Sequence, residues 1–256
     1  MAADELLVIK SEYERVGSVL EKIADILFPK VCPICGKVPK GKEDVCADCS
    51  QDIKVIDGAI CVKCGKPLIT NEYIYCMECT KKKHFFEKGI SLFEYSEKIQ
   101  KSLYRFKYNN AREYADFYAK KAAEIYGKTF RTWGIDVIIP IPMYKNKEVR
   151  RGYNQAEVFA RAAAKYTKIP LDAKCLIRQK STLPQKELSD EMRRINLDRA
   201  FAVDVFRASR YKTVLLTDDI YTTGSTIDAC AKLLLKTGVQ KVYFLCISTK
   251  KDELSG

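Results

Sequence analysis

The sequence contains no apolar run long enough to cross a lipid bilayer. Its longest uncharged stretches, such as Trp133–Ile135 and Val137–Tyr144, fall well short of the roughly 20 residues that a transmembrane helix requires. A secretion signal is also missing, since acidic residues interrupt each apolar run near the N-terminus: Asp4, Glu5, Glu12, Glu14 and Glu21. We therefore expect no membrane insertion and predict a cytoplasmic protein.

Sequence signals of several other protein classes are absent as well. No tract rich in proline, glycine or serine stands out, which favours a globular protein. No G-x-x-x-x-G-K-[ST] sequence occurs, so a P-loop nucleotide site is set aside. The chain has one histidine, His84, which follows the last cysteine pair. We expect His84 to be an exposed loop residue rather than an additional metal ligand.

Acidic residues are outnumbered by basic ones. The chain has 45 Lys and Arg against 33 Asp and Glu, which gives a net charge of +12. Such a charge favours polyanionic partners, either nucleic acid or phosphorylated metabolites. An ordinary solvated basic surface is the alternative, and charge alone does not decide between them.

Cysteine is plentiful, with 11 residues, and eight of these form four C-x-x-C pairs. A disulfide framework is excluded in a cytoplasmic protein, where thiols stay reduced. Two C-x-x-C turns together offer the four thiolates of a tetrahedral zinc site, so four pairs predict two Zn²⁺ ions. We pair the ligands sequentially, although an interleaved pairing uses the same residues: Cys32, Cys35, Cys46 and Cys49, then Cys61, Cys64, Cys76 and Cys79.

The cysteine pairs form an internal repeat, in which CPICGK and CADC are followed by CVKCGKPL and CMEC. A glycine, Gly36 or Gly65, follows the first pair of each half and provides the permissive backbone that such a turn needs. Four thiolates leave no open coordination position, so the zinc should be structural. We expect metal removal to unfold this segment and to leave the C-terminal half largely intact.

The pattern of apolar residues predicts three regions. Residues 1–29 contain an amphipathic helix, Ile9–Phe28, that Pro29 ends; residues 30–85 form the zinc-binding module; residues 86–256 form an α/β domain with a parallel sheet covered by helices on both faces. The predicted helices are Lys98–Lys107, Ala111–Tyr126, Asn154–Tyr166, Pro184–Asn196 and Ser225–Lys236. The predicted strands are Ile135–Ile141, Cys175–Ile177, Thr213–Thr217 and Lys241–Ile247.

One strand end carries the chemistry of a sugar-phosphate site. An apolar run, Val214–Leu216, leads into Asp218 and Asp219 and then into a loop with hydroxyls and a glycine. The loop amides and the following helix would bind a phosphate, while the carboxylates would bind ribose hydroxyls or Mg²⁺. This segment matches the phosphoribosylpyrophosphate motif of type I phosphoribosyltransferases. The candidate ligand-binding residues are Asp218, Asp219, Ile220, Tyr221, Thr222, Thr223, Gly224, Ser225 and Thr226.

A second strand end, Pro140-Ile141-Pro142, is the candidate site for a pyrophosphate group. Two prolines enforce a rigid turn, trans or cis, and the basic residues that follow supply positive charge or form an ordinary solvated loop. The polar segment Gln179–Asn196 is a candidate lid over a reactive pyrophosphate. Arg151 and Lys186 are the candidate catalytic residues, because both would neutralise the leaving group.

The order of these features resembles the ComF family of bacterial competence proteins. The resemblance rests on the cysteine pairs, the proline turn, the acidic motif and five further motifs: Leu27-Phe-Pro29, Phe106-Lys-Tyr108, Arg151-Gly-Tyr-Asn-Gln155, Thr182-Leu-Pro-Gln185 and Arg194-Ile-Asn196. It implies a zinc-binding N-terminal domain, a C-terminal phosphoribosyltransferase fold, and a role in handling single-stranded DNA with a competence helicase. The acidic motif itself predicts that this fold binds 5-phosphoribosyl-1-pyrophosphate (PRPP) with Mg²⁺.

Two functions fit these residues. The first is a transferase that displaces pyrophosphate from C1 of the ribose, with an acceptor that the sequence does not identify. The second is a binding protein that senses PRPP and contacts DNA or a competence protein, since a fold does not establish chemistry. Tyr104, Phe106 and Tyr108 would stack on single-stranded DNA beside basic residues, or else form the core stripe of a helix.

Overall fold

A computed structural model of the chain describes residues 29–41, 43–179 and 200–251. The structure divides the chain into two compact units, Met1–Asp52 and Ile53–Gly256. The sequence-based division differs, because it treated residues 30–85 as one module. The last two C-x-x-C pairs therefore belong to the same unit as the α/β part. The predicted helix Ile9–Phe28 lies outside the described residues.

The smaller unit is organised around its own cysteines. The amide of Cys32 donates to the carbonyl oxygen of Lys37, and the amide of Gly36 donates to that of Cys32, both at 2.8 Å. Gly36 has a φ of 78°, which a side chain would disfavour. The unit contains one described helix, α1, Ala47–Asp52.

The larger unit contains a four-stranded parallel sheet with strand order β1-β6-β5-β2. The strands are β1 Lys88–Glu94, β2 Val137–Pro140, β5 Thr213–Tyr221 and β6 Lys241–Thr249. A separate antiparallel hairpin consists of β3 Leu176–Arg178 and β4 Phe201–Val203. The described helices are α2 Met77–Lys81, α3 Glu97–Tyr108, α4 Tyr114–Trp133, α5 Lys145–Arg151, α6 Gln155–Thr167, α7 Val205–Ala208 and α8 Ser225–Leu235.

Helices cover both faces of the sheet, as predicted. Successive residues of a strand point to opposite faces, so Val214 and Leu216 share one face while Leu215 and Thr217 share the other. Val214 and Leu216 belong to one core cluster with residues of α8. Thr217, in contrast, donates its hydroxyl to the carbonyl oxygen of Ala156 on α6 at 3.5 Å. The nearly continuous burial of β5 and β6 follows from this two-sided packing.

Most predicted elements are present, with different ends. Helix α4 runs past the predicted end at Tyr126 to Trp133, where Gly134 with a φ of 63° terminates it. The candidate basic loop after Pro142 is instead largely helix α5, and the strand β1 was not predicted. No helix within the described ranges is long and apolar enough to cross a membrane.

Candidate functional site

The eight paired cysteines form two groups in the structure. The first cluster consists of Cys32, Cys35, Cys46 and Cys49, and the second cluster consists of Cys61, Cys64, Cys76 and Cys79. Within each cluster the four Sγ atoms lie within 4.8 Å of one another. This is the sequential grouping of the pairs and not the interleaved one.

The sulfur geometry fits zinc. Cys35 Sγ lies 3.7 Å from Cys46 Sγ, and Cys64 Sγ lies 3.6 Å from Cys76 Sγ. A tetrahedral site with Zn–S bonds of about 2.3 Å has S–S edges of about 3.8 Å, so the clusters need little adjustment to hold the ion. Because each site offers four thiolates and no open position, the chain has two zinc-binding sites of the structural type.

The second cluster lies inside the core of the larger unit. Cys61, Cys64 and Cys76 belong to the same core cluster as Phe244 of β6 and residues of α8. Beside them Tyr221 has a buried hydroxyl without a hydrogen-bond partner among the described residues. Burial, and then the negative charges of Cys64 and Cys79, raise the pKa of this phenol.

His84 is buried, so the expectation of an exposed loop residue was wrong. Its side chain has no exposed surface, and its Nδ1 lies 2.7 Å from Oδ2 of Asp228. The ring stacks on Phe86 with 4.6 Å between the centroids. The sequence did not reveal this because Asp228 is separated from His84 by 144 residues.

The two adjacent acids, Asp218 and Asp219, lie within strand β5, and Ile220 and Tyr221 follow them as its last two residues. Lys107, near the end of α3, forms an ion pair with Asp219. Burial raises the pKa of Asp219, but Lys107 outweighs burial and lowers it. Burial, together with the charge of Asp219, raises the pKa of Asp218 well above its usual range. The pair thus combines one ionised carboxylate with one that holds its proton more tightly.

The segment Thr222–Thr226, hereafter the glycine loop, begins directly after β5 and includes the first two residues of α8. Gly224 has a φ of 75°, and a Cβ there would lie 2.7 Å from the Tyr221 hydroxyl, so only glycine fits. Thr223 Oγ1 and Ser225 Oγ lie 3.0 Å apart. The first amides of α8 have no intrahelical acceptor, which makes this end of the helix suitable for an anion.

The proline turn lies beside a cavity of about 620 Å³. Pro140 and Pro142 line it together with four basic residues, Lys145, Lys174, Arg178 and Arg207, and three acidic ones, Glu148, Glu157 and Asp204. The amide of Ile141 donates to the carbonyl oxygen of Thr217, so it serves the sheet rather than a ligand. No cis peptide bond occurs in the described residues, which excludes the cis alternative for this turn.

The Arg151–Gln155 motif connects two parts of the site, the end of α3 and the proline turn. Tyr153 donates its hydroxyl to the carbonyl oxygen of Phe106, just before Lys107 on α3. Asn154 caps α6 and donates to the carbonyl oxygen of Ile141 in the proline turn at 3.0 Å. This motif therefore fixes the proline turn and the end of α3 relative to each other.

Of the two candidate catalytic residues, only Arg151 lies among the described residues. Arg151 contacts Gln155 at 2.5 Å and the hydroxyl of Tyr108 at 3.2 Å, with its guanidinium 4.8 Å from the centre of the Tyr108 ring. Its role in catalysis stays a prediction. Lys186 lies outside the described residues, as does most of the predicted lid.

Helix α3 contributes residues that the motif search did not assign to the ligand. Lys107 pairs with Asp219, and the signal that could have identified it is its position in the Phe106-Lys-Tyr108 motif. Phe106 is fully buried, whereas Tyr104 and Tyr108 are each 59% exposed, with ring centroids 4.9 Å apart. The predicted aromatic stripe is thus divided between the core and the surface.

Similarities to known proteins cover nearly the whole chain. A family model for the double zinc ribbon domain matches residues 23–80. Competence protein F of Haemophilus influenzae is 32% identical over 213 residues, 81% of this chain and 91% of that protein. The DNA utilization protein YhgH of Escherichia coli O157:H7 is 27% identical over 227 residues, 87% of this chain and 98% of that protein.

Two further similarities are weaker. Competence protein ComFC of Bacillus subtilis is 26% identical over 209 residues, 78% of this chain and 81% of that protein. Among solved structures, an adenine phosphoribosyltransferase from Leishmania tarentolae gives a TM-score of 0.34 at 14% identity, over 55% of this chain and 73% of that chain. A TM-score this low carries no weight, and the parallel sheet rests on its own strand pairing.

Proposed function

Because this chain belongs to the ComF family of competence proteins, we propose that it binds PRPP with Mg²⁺ and acts in natural competence, in DNA uptake and transformation. The observation that carries the ligand assignment is the carboxyl end of β5. There Asp218 and Asp219 lie near the end of the strand, and only Ile220 and Tyr221 separate them from the glycine loop and the start of α8. Ligands of open α/β sheets bind at this edge.

The chemistry of this strand end suits PRPP group by group. Carboxylate oxygens are the ligands that Mg²⁺ prefers, and they also accept hydrogen bonds from ribose hydroxyls. The glycine loop and the amides of α8 would bind the 5-phosphate. The cavity beside Pro140 and Pro142, whose four basic side chains outnumber its three acidic ones, would receive the pyrophosphate. Lys107 holds Asp219 ionised in the absence of ligand.

Calorimetric titration with PRPP and Mg²⁺ tests the proposal. The wild-type protein should bind, and Asp218→Asn should abolish most of the binding because a cation loses a charged ligand. Asp116→Asn is the matched control, since Asp116 is exposed on α4 and pairs only at the surface with Lys165. Equal loss in both variants, or no binding to the wild type, would contradict the assignment.

The raised pKa of Asp218 gives a second readout in the same titration. Because a bound cation favours the ionised carboxylate, binding should release protons and should strengthen as the pH rises through the raised pKa of Asp218. Titrations in two buffers with different ionisation enthalpies measure the released protons. The Asp218→Asn variant should lose this release, whereas Asp116→Asn should keep it.

Phosphoribosyl transfer with loss of pyrophosphate is the reaction that such a site would perform, and sensing of PRPP without turnover is the alternative. Pyrophosphate release, measured with a panel of bases, amines and single-stranded DNA, separates the two. Release with one acceptor identifies a transferase. Tight binding of PRPP without release with any acceptor identifies a sensor.

Contact with single-stranded DNA is a second candidate function, favoured by the exposed pair Tyr104 and Tyr108. Exposed aromatic rings beside arginines stack on unpaired bases, and the net charge of +12 suits the phosphate backbone. Tyr104→Ala should weaken salt-sensitive binding of an oligothymidine. Phe206→Ala is the control, because Phe206 is also exposed beneath an arginine, Arg210. The competence helicase stays a prediction from the family resemblance.

A further inference from the structure

A buried carboxylate ties the segment that follows the second cluster to helix α8. Asp228, in the first turn of α8, receives on its Oδ2 both His84 Nδ1 and Lys82 Nζ at 2.7 Å. Its Oδ1 accepts from the backbone N–H of Phe85 at 3.0 Å. Three donors from one short segment, Lys82–Phe85, therefore converge on a single side chain.

The charge of Asp228 fixes the direction of these bonds. Burial raises its pKa, but the hydrogen bonds from His84 and Lys82 outweigh burial and lower it. An ionised carboxylate has no proton to give, so His84 Nδ1 carries the proton and donates it. Since Asp228 is 7% exposed and His84 is fully buried, solvent and salt screen the contact little.

Asp228 is also part of the turn that follows the glycine loop. Its backbone N–H donates to the carbonyl oxygen of Gly224 at 2.8 Å, the bond with which α8 begins. The backbone N–H groups of residues 225–227, just before Asp228, are those that would donate hydrogen bonds to an anion bound at the start of α8. A displacement of Asp228 would therefore displace the groups that face the proposed phosphate.

A second contact supports the other end of the glycine loop. Phe86 stacks on His84 and packs edge-on against Tyr221, with 6.3 Å between the Phe86 and Tyr221 centroids. The Tyr221 hydroxyl in turn occupies the space beside Gly224. The segment Lys82–Phe86 thus contacts both Tyr221, which precedes the glycine loop, and Asp228 of α8, which follows it.

The upstream end of this segment is fixed by the second cluster. Cys76 precedes α2 and Cys79 lies within it, so two of the four zinc ligands hold this short helix. The amide of Lys82 then donates to the carbonyl oxygen of Glu78 on α2 at 3.0 Å. The connection from the metal ligands to Asp228 is therefore short and hydrogen-bonded at each step.

We infer that the second zinc site positions the glycine loop, through Lys82 and His84 acting on Asp228. The zinc would then stabilise more than its own cysteine turns, because its loss would destabilise the first turn of α8. Lys82 and His84 are positioning residues, since neither is placed at the ligand. That the loop binds a phosphate rests on the proposed function, whereas the mechanical link does not.

Hydrogen exchange tests the link without any ligand. His84→Phe, in the zinc-loaded full-length protein, keeps a ring against Phe86 but removes the donor to Asp228. Amides 228–231 at the start of α8 should exchange faster, while those of α6 should not change. His84→Asn should restore much of the protection, because its amide N–H can replace the donor. Lys82→Met, at a more exposed position, should give the same pattern more weakly.

Ligand binding then tests the consequence. On the proposed function, ribose 5-phosphate needs the glycine loop, whereas Mg²⁺-pyrophosphate needs only Asp218, Asp219 and the cavity beside the proline turn. His84→Phe should weaken ribose 5-phosphate about tenfold, which corresponds to ~1.4 kcal/mol, and should leave Mg²⁺-pyrophosphate unchanged. Glu97→Gln is the control for the loss of a side-chain contact at another helix start, because it weakens the exposed pair of Glu97 with Lys101 in the first turn of α3.

The outcomes separate the two proposals. Unchanged exchange at 228–231 in both His84→Phe and Lys82→Met overturns the link, whatever the ligand does. Faster exchange spread equally over α6 also overturns it, because the substitutions would then only destabilise the fold. A wild-type protein that binds neither ribose 5-phosphate nor PRPP refutes the proposed function, and the exchange result still decides the link.

Discussion

The first and second cysteine clusters close their turns with the same hydrogen bonds. In the first cluster the amide of Cys32 donates to the carbonyl oxygen of Lys37, and in the second the amide of Cys61 donates to that of Lys66. Their surroundings differ. The first cluster belongs to the smaller unit and keeps Cys35 and Cys46 half-buried, whereas the second forms part of the core beneath the sheet.

A repeated sequence therefore has two structural roles. A local repeat specifies the metal-binding turn, because the turn needs only the cysteines and a permissive glycine. What the turn packs against depends on residues far away in the chain, such as Phe244. The first cluster stabilises its own unit, while the second stabilises the domain that carries the candidate ligand site.

The largest expected difference comes from removing one ligand of each cluster. Cys64→Ser should lower the free energy of unfolding of the larger unit by about 5 kcal/mol or more, since loss of a structural metal inside a core is among the most damaging changes. Cys35→Ser should leave that unit unchanged. Fluorescence of Trp133, the single tryptophan, reports on the larger unit during denaturant unfolding, because its ring stacks on Tyr243 of β6.

Metal analysis is the control for this comparison. Each variant should retain one zinc ion per chain, which shows that only one cluster was emptied. Equal destabilisation by Cys35→Ser and Cys64→Ser at the Trp133 signal would remove the distinction between the clusters.

The sequence predicted those features that depend on neighbouring residues, and it missed those that depend on contacts between residues far apart in the chain. The four C-x-x-C pairs, the apolar strand Val214–Leu216 and the acids after it are local patterns, and they predicted the zinc ligands, the parallel sheet and the acidic strand end. The burial of His84 depends on Asp228, 144 residues away, and no local pattern encodes that contact. Helix α5 was missed because its charged residues read equally well as a solvated loop.

A smaller difference should come from the glycine that joins the second cluster to β1. A Cβ on Gly65 would lie 2.5 Å from the carbonyl oxygen of Gly89, at a φ of 68°. Gly58 has a similar φ of 76° but nothing within 4 Å. Gly58→Ala should cost about 1 kcal/mol of unfolding free energy from the backbone alone. Gly65→Ala should cost roughly 1–3 kcal/mol more, because the clash adds to it.

Denaturant unfolding followed at Trp133 measures both glycine variants under the same conditions. The difference between the two losses isolates the contact between the second cluster and the strand. Equal losses in Gly58→Ala and Gly65→Ala would show that this contact yields easily and contributes little to the attachment.

The smallest expected effect is a difference in the order in which the two zinc ions are released to a chelator. Sequence alone suggested that metal removal would unfold the cysteine region and spare the C-terminal half, but the burial of Cys61, Cys64 and Cys76 changes that expectation.

The first zinc ion should be released early, because half of its ligands are partly exposed, and the Trp133 fluorescence should not change. The second should leave later and together with a change in that signal, since three of its four thiolates become accessible only when the core opens. A colorimetric chelator and Trp133 fluorescence, recorded on the same sample, measure both events. Simultaneous release of both ions without a fluorescence change would mean that the second cluster, despite its position in the core, is as independent of the sheet as the first.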